Sequence, residues 1–382
     1  MSKVFVIGAG MSTFGPFPDS IVHELCHQAT WEAITSSGVD ARKLQVCYAG
    51  HAYQGPCFGQ KTLVKSGLTG MPVFNVENAC ASGASAVMGV YIMIKTGLYD
   101  LGIALGGEKL TGADGGFLPI VMDDLDSTNG RVMPAAFAMI AKRHMEKYGT
   151  TTEQLAKVAV KNKKYACLNT RIAEKYHKPV TLEEVLQAPM IADPLTRLSC
   201  CPVSDGAAAV ILASEKVARQ YTSKPVEIVA SVLNSGLRTK YGLIEYRSEM
   251  SARAAKEAYE MSGIGPEDIN VCELHDPFTI AEIVHYEDLG FCEPGEGGLY
   301  IDEGKSEING KGVAVSPSGG LLGRGHPLGA TGVAQIAEIF WQLRGEAGAH
   351  QVVNAKVGLA HVVGGGVTSI ESGACGVHIL KV

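Results

Sequence analysis

The chain has 382 residues, 46% hydrophobic and 19% charged, which suits a large-cored globular protein of two domains or two halves. A net charge of −6 without a long basic block argues against nucleic acid as a partner. Ten scattered cysteines with no CxxC, behind an N-terminus too short in its apolar run for a signal peptide, read as reduced thiols in a soluble, cytoplasmic protein.

In chain order, VFVIGAGMSTFG opens as a strand followed by a loop. It begins like a dinucleotide fold, but Thr13 stands where the third glycine of GxGxxG is needed, so the fingerprint fails. HELCH (23–27) satisfies the HExxH pattern, yet no third ligand is evident, and His23 and His27 read as edge residues of a structural helix. A strand at Val46–Cys47 follows. NACASGASAV (78–87) sets Cys80 just ahead of a helix whose first turn is nearly all small residues. Either Cys80 is a packing residue, or its small neighbours leave room for a ligand to reach the sulfur. The apolar run from there to Lys95 is too short and too small-sided for a membrane span.

The rest of the chain repeats this plan. Residues 24–50 match 249–275 at a constant offset of 225: Glu24 with Glu249, Ala29 with Ala254, Ser37–Gly38 with Ser262–Gly263, and Val46–Cys47 with Val271–Cys272. Each copy reads as a helix stopped by glycine, a loop and a strand. Cys80-x-x-Gly83-Ala84-Ser85 matches His326-x-x-Gly329-Ala330-Thr331 at offset 246, and SDGAAAVIL (204–212) matches SGACGVHIL (372–380) at offset 168. The fall in offset assigns about 78 extra residues to the first half, an insertion over about 111–200. The fold expected is α/β, two pseudo-symmetric βαβαβαββ halves in an αβαβα arrangement: residues 1–213 including the insertion, and 224–382.

Equivalent helix N-termini of two such halves face each other across a pseudo-twofold axis, so Cys80 and His326 are expected to meet. A helix N-terminus favours a thiolate and lowers the thiol pKa, and an adjacent histidine accepts its proton. Free amides there form an oxyanion hole. This is the equipment for acyl transfer through a covalent thioester.

NACASGASAV, HDPF (275–278), GRGHPLGATG (323–332) and the glycines of HVVGGG (361–366) resemble the thiolase superfamily over essentially the whole length. HDPF and Arg324 resemble its sterol-carrier-protein-type and archaeal branch. The resemblance implies Cys80 as acyl-accepting nucleophile, His326 as its activator, and His275 as the holder of an ordered water in the thioester oxyanion site. It implies the amides of Cys80 and Gly365 in the other oxyanion hole. Gly364 and the insertion would contact coenzyme A. It further implies CoA-dependent thiolysis of a 3-oxoacyl-CoA in the degradative direction, with coenzyme A as co-substrate, no permanently bound cofactor and no metal in this chain. A homodimer or larger assembly is implied, with a possible small zinc-ribbon/OB-fold subunit holding any zinc. An aromatic substrate of the benzoylsuccinyl-CoA kind is one candidate by the same resemblance.

One departure stands out. The second cysteine of common thiolases is Val362 here, and the cysteine of the HDCF motif is Pro277. His275, His326, Cys200 or Cys201 would then take the α-proton, or the step is dispensed with, as in a retro-aldol lyase acting on a 3-hydroxyacyl-CoA. Phe117, Leu118, Met122, Met133, Phe137 and Met139 read as either acyl pocket or core and dimer contacts. Lys161, Lys163, Lys164 and Arg171 read as a solvated face or as contacts to coenzyme A phosphates.

Overall fold

The computed structural model describes residues 2–112, 118, 124–238 and 248–382; Phe117 and Met122 lie outside them. The chain opens with β1 (Val4–Met11), α1 (Val22–Ser37), β2 (Val46–Gly50), α2 (Phe58–Lys65), β3 (Val73–Val76), α3 (Ser82–Lys95) and β4 (Leu101–Glu108). The intervening region carries α4 (Leu125–Thr128), α5 (Met133–Tyr148), α6 (Thr152–Ala166), α7 (Leu182–Leu186), β5 (Met190–Ala192) and β6 (Leu195–Thr196), and β7 (Gly206–Ser214) follows. Next come α8 (Glu215–Tyr221), β8 (Val226–Asn234), α9 (Glu249–Ser262), β9 (Val271–Glu273), α10 (Thr279–Asp288) and α11 (Gly297–Asp302). The last elements are β10 (Ala314–Val315), α12 (Gly320–Arg324), α13 (Leu328–Arg344), β11 (Val357–Gly364) and β12 (Ala374–Lys381).

The matched helices end alike. Gly38 (φ 70°) and Gly263 (φ 68°) take the left-handed conformation, and their N–H groups close on carbonyls of the last turn. Strand order is mirrored as well: β3-β2-β4-β7-β1 continues into β8-β12-β11-β9-β10. The two half-sheets join side by side: β1 and β8 pair antiparallel through Phe5–Glu227 and Val6–Val226, so one ten-stranded sheet results. Each is the inner strand of its half, and pairing removes two edges that would otherwise present bare N–H and C=O groups.

Alternating residues on the strands separate the layers. Phe5, Ile7, Ile103, Leu105 and Ile211 pack under α1 and α2. Val4, Val6, Ala104, Val210 and Leu212, with Ile228, Val271 and Ala360 of the second half, pack on α3 and α13. Val232, Cys272, Leu359, Val377 and Ile379 face α9 and α10. This gives five layers with α3 and α13 at the centre. No described helix is long and apolar enough to cross a membrane.

The polar helix α6 is not a solvated face. Lys161 is buried and ion-paired with Glu282 at 2.7 Å, and Asn162 donates to both Asp276 and Glu282. The inserted region is thereby anchored on the second half, beside the HDPF segment.

Candidate active site

Cys80 lies in a 3-10 turn (Ala79–Ala81) between β3 and α3, after Ala79, whose φ of 48° is rare for a residue with a side chain. The turn is held locally. Asn78 donates its N–H to Ser82 Oγ and its Nδ2 to Ser85 Oγ, while the Ser82 and Ser85 hydroxyls donate to the carbonyls of Ala79 and Ala81. The small residues here serve packing rather than ligand access. A Cβ on Gly83 would stand 2.8 Å from both Gly329 O and Val333 N, and one on Gly332 would stand 2.3 Å from Ala84 N. Thus α3 and α13 touch backbone to backbone at their first turns, which is what brings Cys80 and His326 together.

His326 follows Gly325 (φ 86°) and precedes Pro327, the N-cap of α13. Its Nδ1 lies 2.8 Å from Thr331 Oγ1, and that hydroxyl donates to Pro327 O. The hydroxyl proton being engaged, the imidazole must donate from Nδ1, which leaves Nε2 as a bare lone pair. His275 follows β9. Its backbone N–H points at His361 Nδ1 (3.5 Å), and His361 Nε2 lies 2.9 Å from Ser251 Oγ. His361 is therefore a buried prop for the His275 backbone. The rings of His275 and His326 lie 5.2 Å apart, edge on, and Cys80 Sγ and one ring nitrogen from each histidine all fall within 4.8 Å of one another.

The thiol behaves otherwise than its sequence position suggests. Burial pushes Cys80 up to about 12, and the Glu108 carboxylate adds to the rise; the amides of Cys80 and Gly365 at the sulfur offset only part of this. A lowered thiol pKa was expected from the helix terminus, but the turn sits ahead of α3 and two amide dipoles do not replace lost water. Burial, then the Arg324 charge, brings His326 down to about 3. Burial, then His326, lowers His275 well below its usual value. At neutral pH the site therefore holds a neutral thiol beside two neutral imidazoles.

The glycine triplet closes against this turn. A Cβ on Gly364 would stand 2.1 Å from Asn78 O, so only glycine fits, and Gly365 has φ 76°. Val362 is buried in the apolar cluster that also contains Cys80. Pro277 accepts a 2.8 Å hydrogen bond from the Cys201 N–H, and Cys200 bridges to Phe278. The two cysteines of the inserted region thus lie along HDPF. Sequence reading missed Glu108, which ends β4 and accepts from Ala52, Tyr53 and Gly329 amides at 2.8–3.0 Å, tying the first half to the start of α13. A single glutamate after two glycines carries no periodic signal that would single it out.

Among the candidate acyl-pocket residues, Phe137 stacks on Phe278 at 4.6 Å, and Met133 Cε would lie 3.2 Å from a Cβ on Gly366. Leu118 and Met139 are exposed. Asp124 accepts from the N–H and hydroxyl of Thr368, both at 2.7 Å, which ties the inserted region to the segment after the triplet. Of the candidate phosphate contacts, Lys161 is buried as described, Lys163 donates to Leu322 O, and Arg171 pairs with Glu32 while lying over Trp341. Lys164 remains exposed, 3.9 Å from Glu307. His23 lies 2.9 Å from Thr62 Oγ1, and HELCH forms no metal-ligand cluster among the described residues.

Residues 4–216 match the thiolase N-terminal domain, and residues 244–374 match the thiolase C-terminal domain-like family. An acetyl-CoA acetyltransferase of Methanothermobacter thermautotrophicus is 40% identical over 390 residues, covering 100% of both chains. The benzoylsuccinyl-CoA thiolase subunit BbsB of Thauera aromatica is 38% identical, covering 95% of each. Among solved structures, the Ltp2-ChsH2(DUF35) aldolase superposes with a TM-score of 0.85 at 25% identity, covering 100% of this chain and 98% of that one.

Proposed function

The chain belongs to the thiolase family and is an enzyme of the acyl-CoA acyltransferase type; on that footing we propose that it cleaves a 3-oxoacyl-CoA with free coenzyme A through an acyl-enzyme on Cys80. The observation that carries the reading is the convergence of Cys80 with His275 and His326 within 4.8 Å. His326 Nε2 takes the thiol proton as the sulfur attacks the 3-oxo carbon. The amides of Cys80 and Gly365, already aimed at the sulfur, take the developing oxyanion. The carbon–carbon bond then breaks, and its electron pair passes to an enolate thioester whose oxygen lies toward His275 and His326. The proton held by His326 neutralises the α-carbon, directly or through Cys201. Coenzyme A next attacks the Cys80 thioester, its thiol proton going to the departing sulfur by way of His326.

A neutral thiol and a neutral imidazole fit a site in which proton transfer accompanies attack instead of preceding it. Incubating the enzyme with a 3-oxoacyl-CoA in the absence of free coenzyme A should leave an acyl mass increment on the Cys80 peptide. Cys80→Ala should abolish both increment and turnover. Turnover retained in that variant refutes the reading.

The aldolase neighbour and the missing second cysteine support one other reading, retro-aldol cleavage of a 3-hydroxyacyl-CoA. That reaction needs no thiol acceptor, so cleavage rates with and without coenzyme A separate the two. For organisation, residues 1–213 and 224–382 form the two halves in this proposal, supported by the mirrored strand order. The DUF35 component named with the aldolase neighbour supports a partner subunit; a small zinc-ribbon/OB-fold partner and a cytoplasmic homodimer or larger assembly complete the proposal.

A further inference from the structure

The convergence of one sulfur and two imidazoles has a second chemical meaning. A thiolate with two histidine nitrogens is a donor set that suits zinc and its thiophilic neighbours. Ligand distances of about 2.0 Å for nitrogen and 2.3 Å for sulfur mean that donors within 4.8 Å need only small side-chain rotations to close on one ion. An independent feature points the same way. His275 Nδ1 and His326 Nε2 are both buried without a hydrogen-bond partner, in residues only 5% and 7% exposed. Neither nitrogen has a partner within the chain, and the tautomer fixed by Thr331 leaves His326 Nε2 a lone pair open to a cation. The hydrogen bond from His326 Nδ1 to Thr331 is also the kind of second contact that orients a metal-ligating histidine.

We infer that zinc or a similar thiophilic divalent cation binds reversibly to Cys80, His275 and His326, with water in the fourth position, and blocks acylation. The block rests on the acyl-transfer reading, because the metal and the acyl group claim the same sulfur. Binding exchanges the S–H bond for a metal–sulfur bond, releases one proton to solvent and transfers no electron. The ion is an inhibitor here, not a resident cofactor.

The probe is cobalt(II), titrated into chelator-treated full-length enzyme and then displaced with zinc. Expected are one bound ion per chain, a tetrahedral visible spectrum with thiolate-to-cobalt charge transfer, and one proton released per ion. Loss of an orienting partner costs about 10–100-fold in affinity, so Thr331→Val should weaken binding within that range and Cys80→Ser by at least about 100-fold. A six-coordinate spectrum without charge transfer in the wild type, or unchanged affinity in Cys80→Ser, overturns the inference. The acyl reading is judged separately, by the mass increment on Cys80 in metal-free enzyme. If that increment forms but zinc neither binds nor prevents it, the inference falls and the acyl reading stands. If cobalt binds as described and no acyl-enzyme ever forms, the site stands and only its inhibitory meaning is lost.

Discussion

Replacing Gly83 with alanine tests the contact that sets the spacing of Cys80 and His326. The new Cβ would stand 2.8 Å from Gly329 O and Val333 N and 3.0 Å from Gly332 N, all backbone atoms of the facing helix or its first turn. Ordinary contact begins near 3.4 Å, so α3 and α13 must separate by roughly 0.6 Å at their N-termini. Overpacking of this kind costs about 1–3 kcal/mol, and the gain in helix propensity returns about 1 kcal/mol at most. A net loss of up to about 2 kcal/mol lowers Tm by about 2–3 °C at most, because 382 residues at about 2.1 cal/mol/K each give about 1.2 °C per kcal/mol. Catalysis should suffer more than stability, since a misplacement near 1 Å costs about 100-fold. The assay pairs calorimetry with thiolysis of a short 3-oxoacyl-CoA. Gly89→Ala is the comparison on the same helix: its Cβ would meet the Tyr48 ring of β2 at 2.3–2.8 Å and not α13, so it should lower Tm while costing less activity than Gly83→Ala. A Gly83→Ala enzyme with wild-type Tm and full activity would show that the two backbones are not in contact and would refute the reasoning.

Alkylation of Cys80 in the empty enzyme should rise about tenfold per pH unit from pH 7 to 10, because burial holds the thiol near 12 and its thiolate is scarce below that; a plateau by pH 9, read from peptide mass spectra, would show the opposite shift. Thr331→Val removes the acceptor that fixes the His326 tautomer, and the loss of about 1–3 kcal/mol should appear as a roughly 5–150-fold fall in acylation rate with KM little changed. A fall confined to KM would assign Thr331 to substrate binding. Cys201→Ser should leave the acyl increment on Cys80 intact while slowing exchange of the α-proton of acetyl-CoA with deuterated solvent; unchanged exchange removes Cys201 from the proton path.

Much of this molecule was legible from residue order. The duplicated helix–glycine–strand segments and the equal places of Cys80 and His326 predicted their meeting, because identical local patterns fold alike and two like halves pack about a shared axis. Gly38 and Gly263 marked helix ends through a backbone requirement that is local. Other features were not legible. The stitching of β1 to β8 is a pairing between residues more than 200 positions apart. The burial of Lys161 and Asn162 depends on what α6 packs against, and a polar pattern alone reads as solvated. Small residues after Cys80 suggested space, but glycine is also what two helices need to touch, and only the facing helix decides between them. The electrostatics of the thiol were not legible either. Helix position is written in sequence, whereas the exclusion of water and the nearness of Glu108 arise when distant segments close around the sulfur, and for a charge the loss of water outweighs the local dipole.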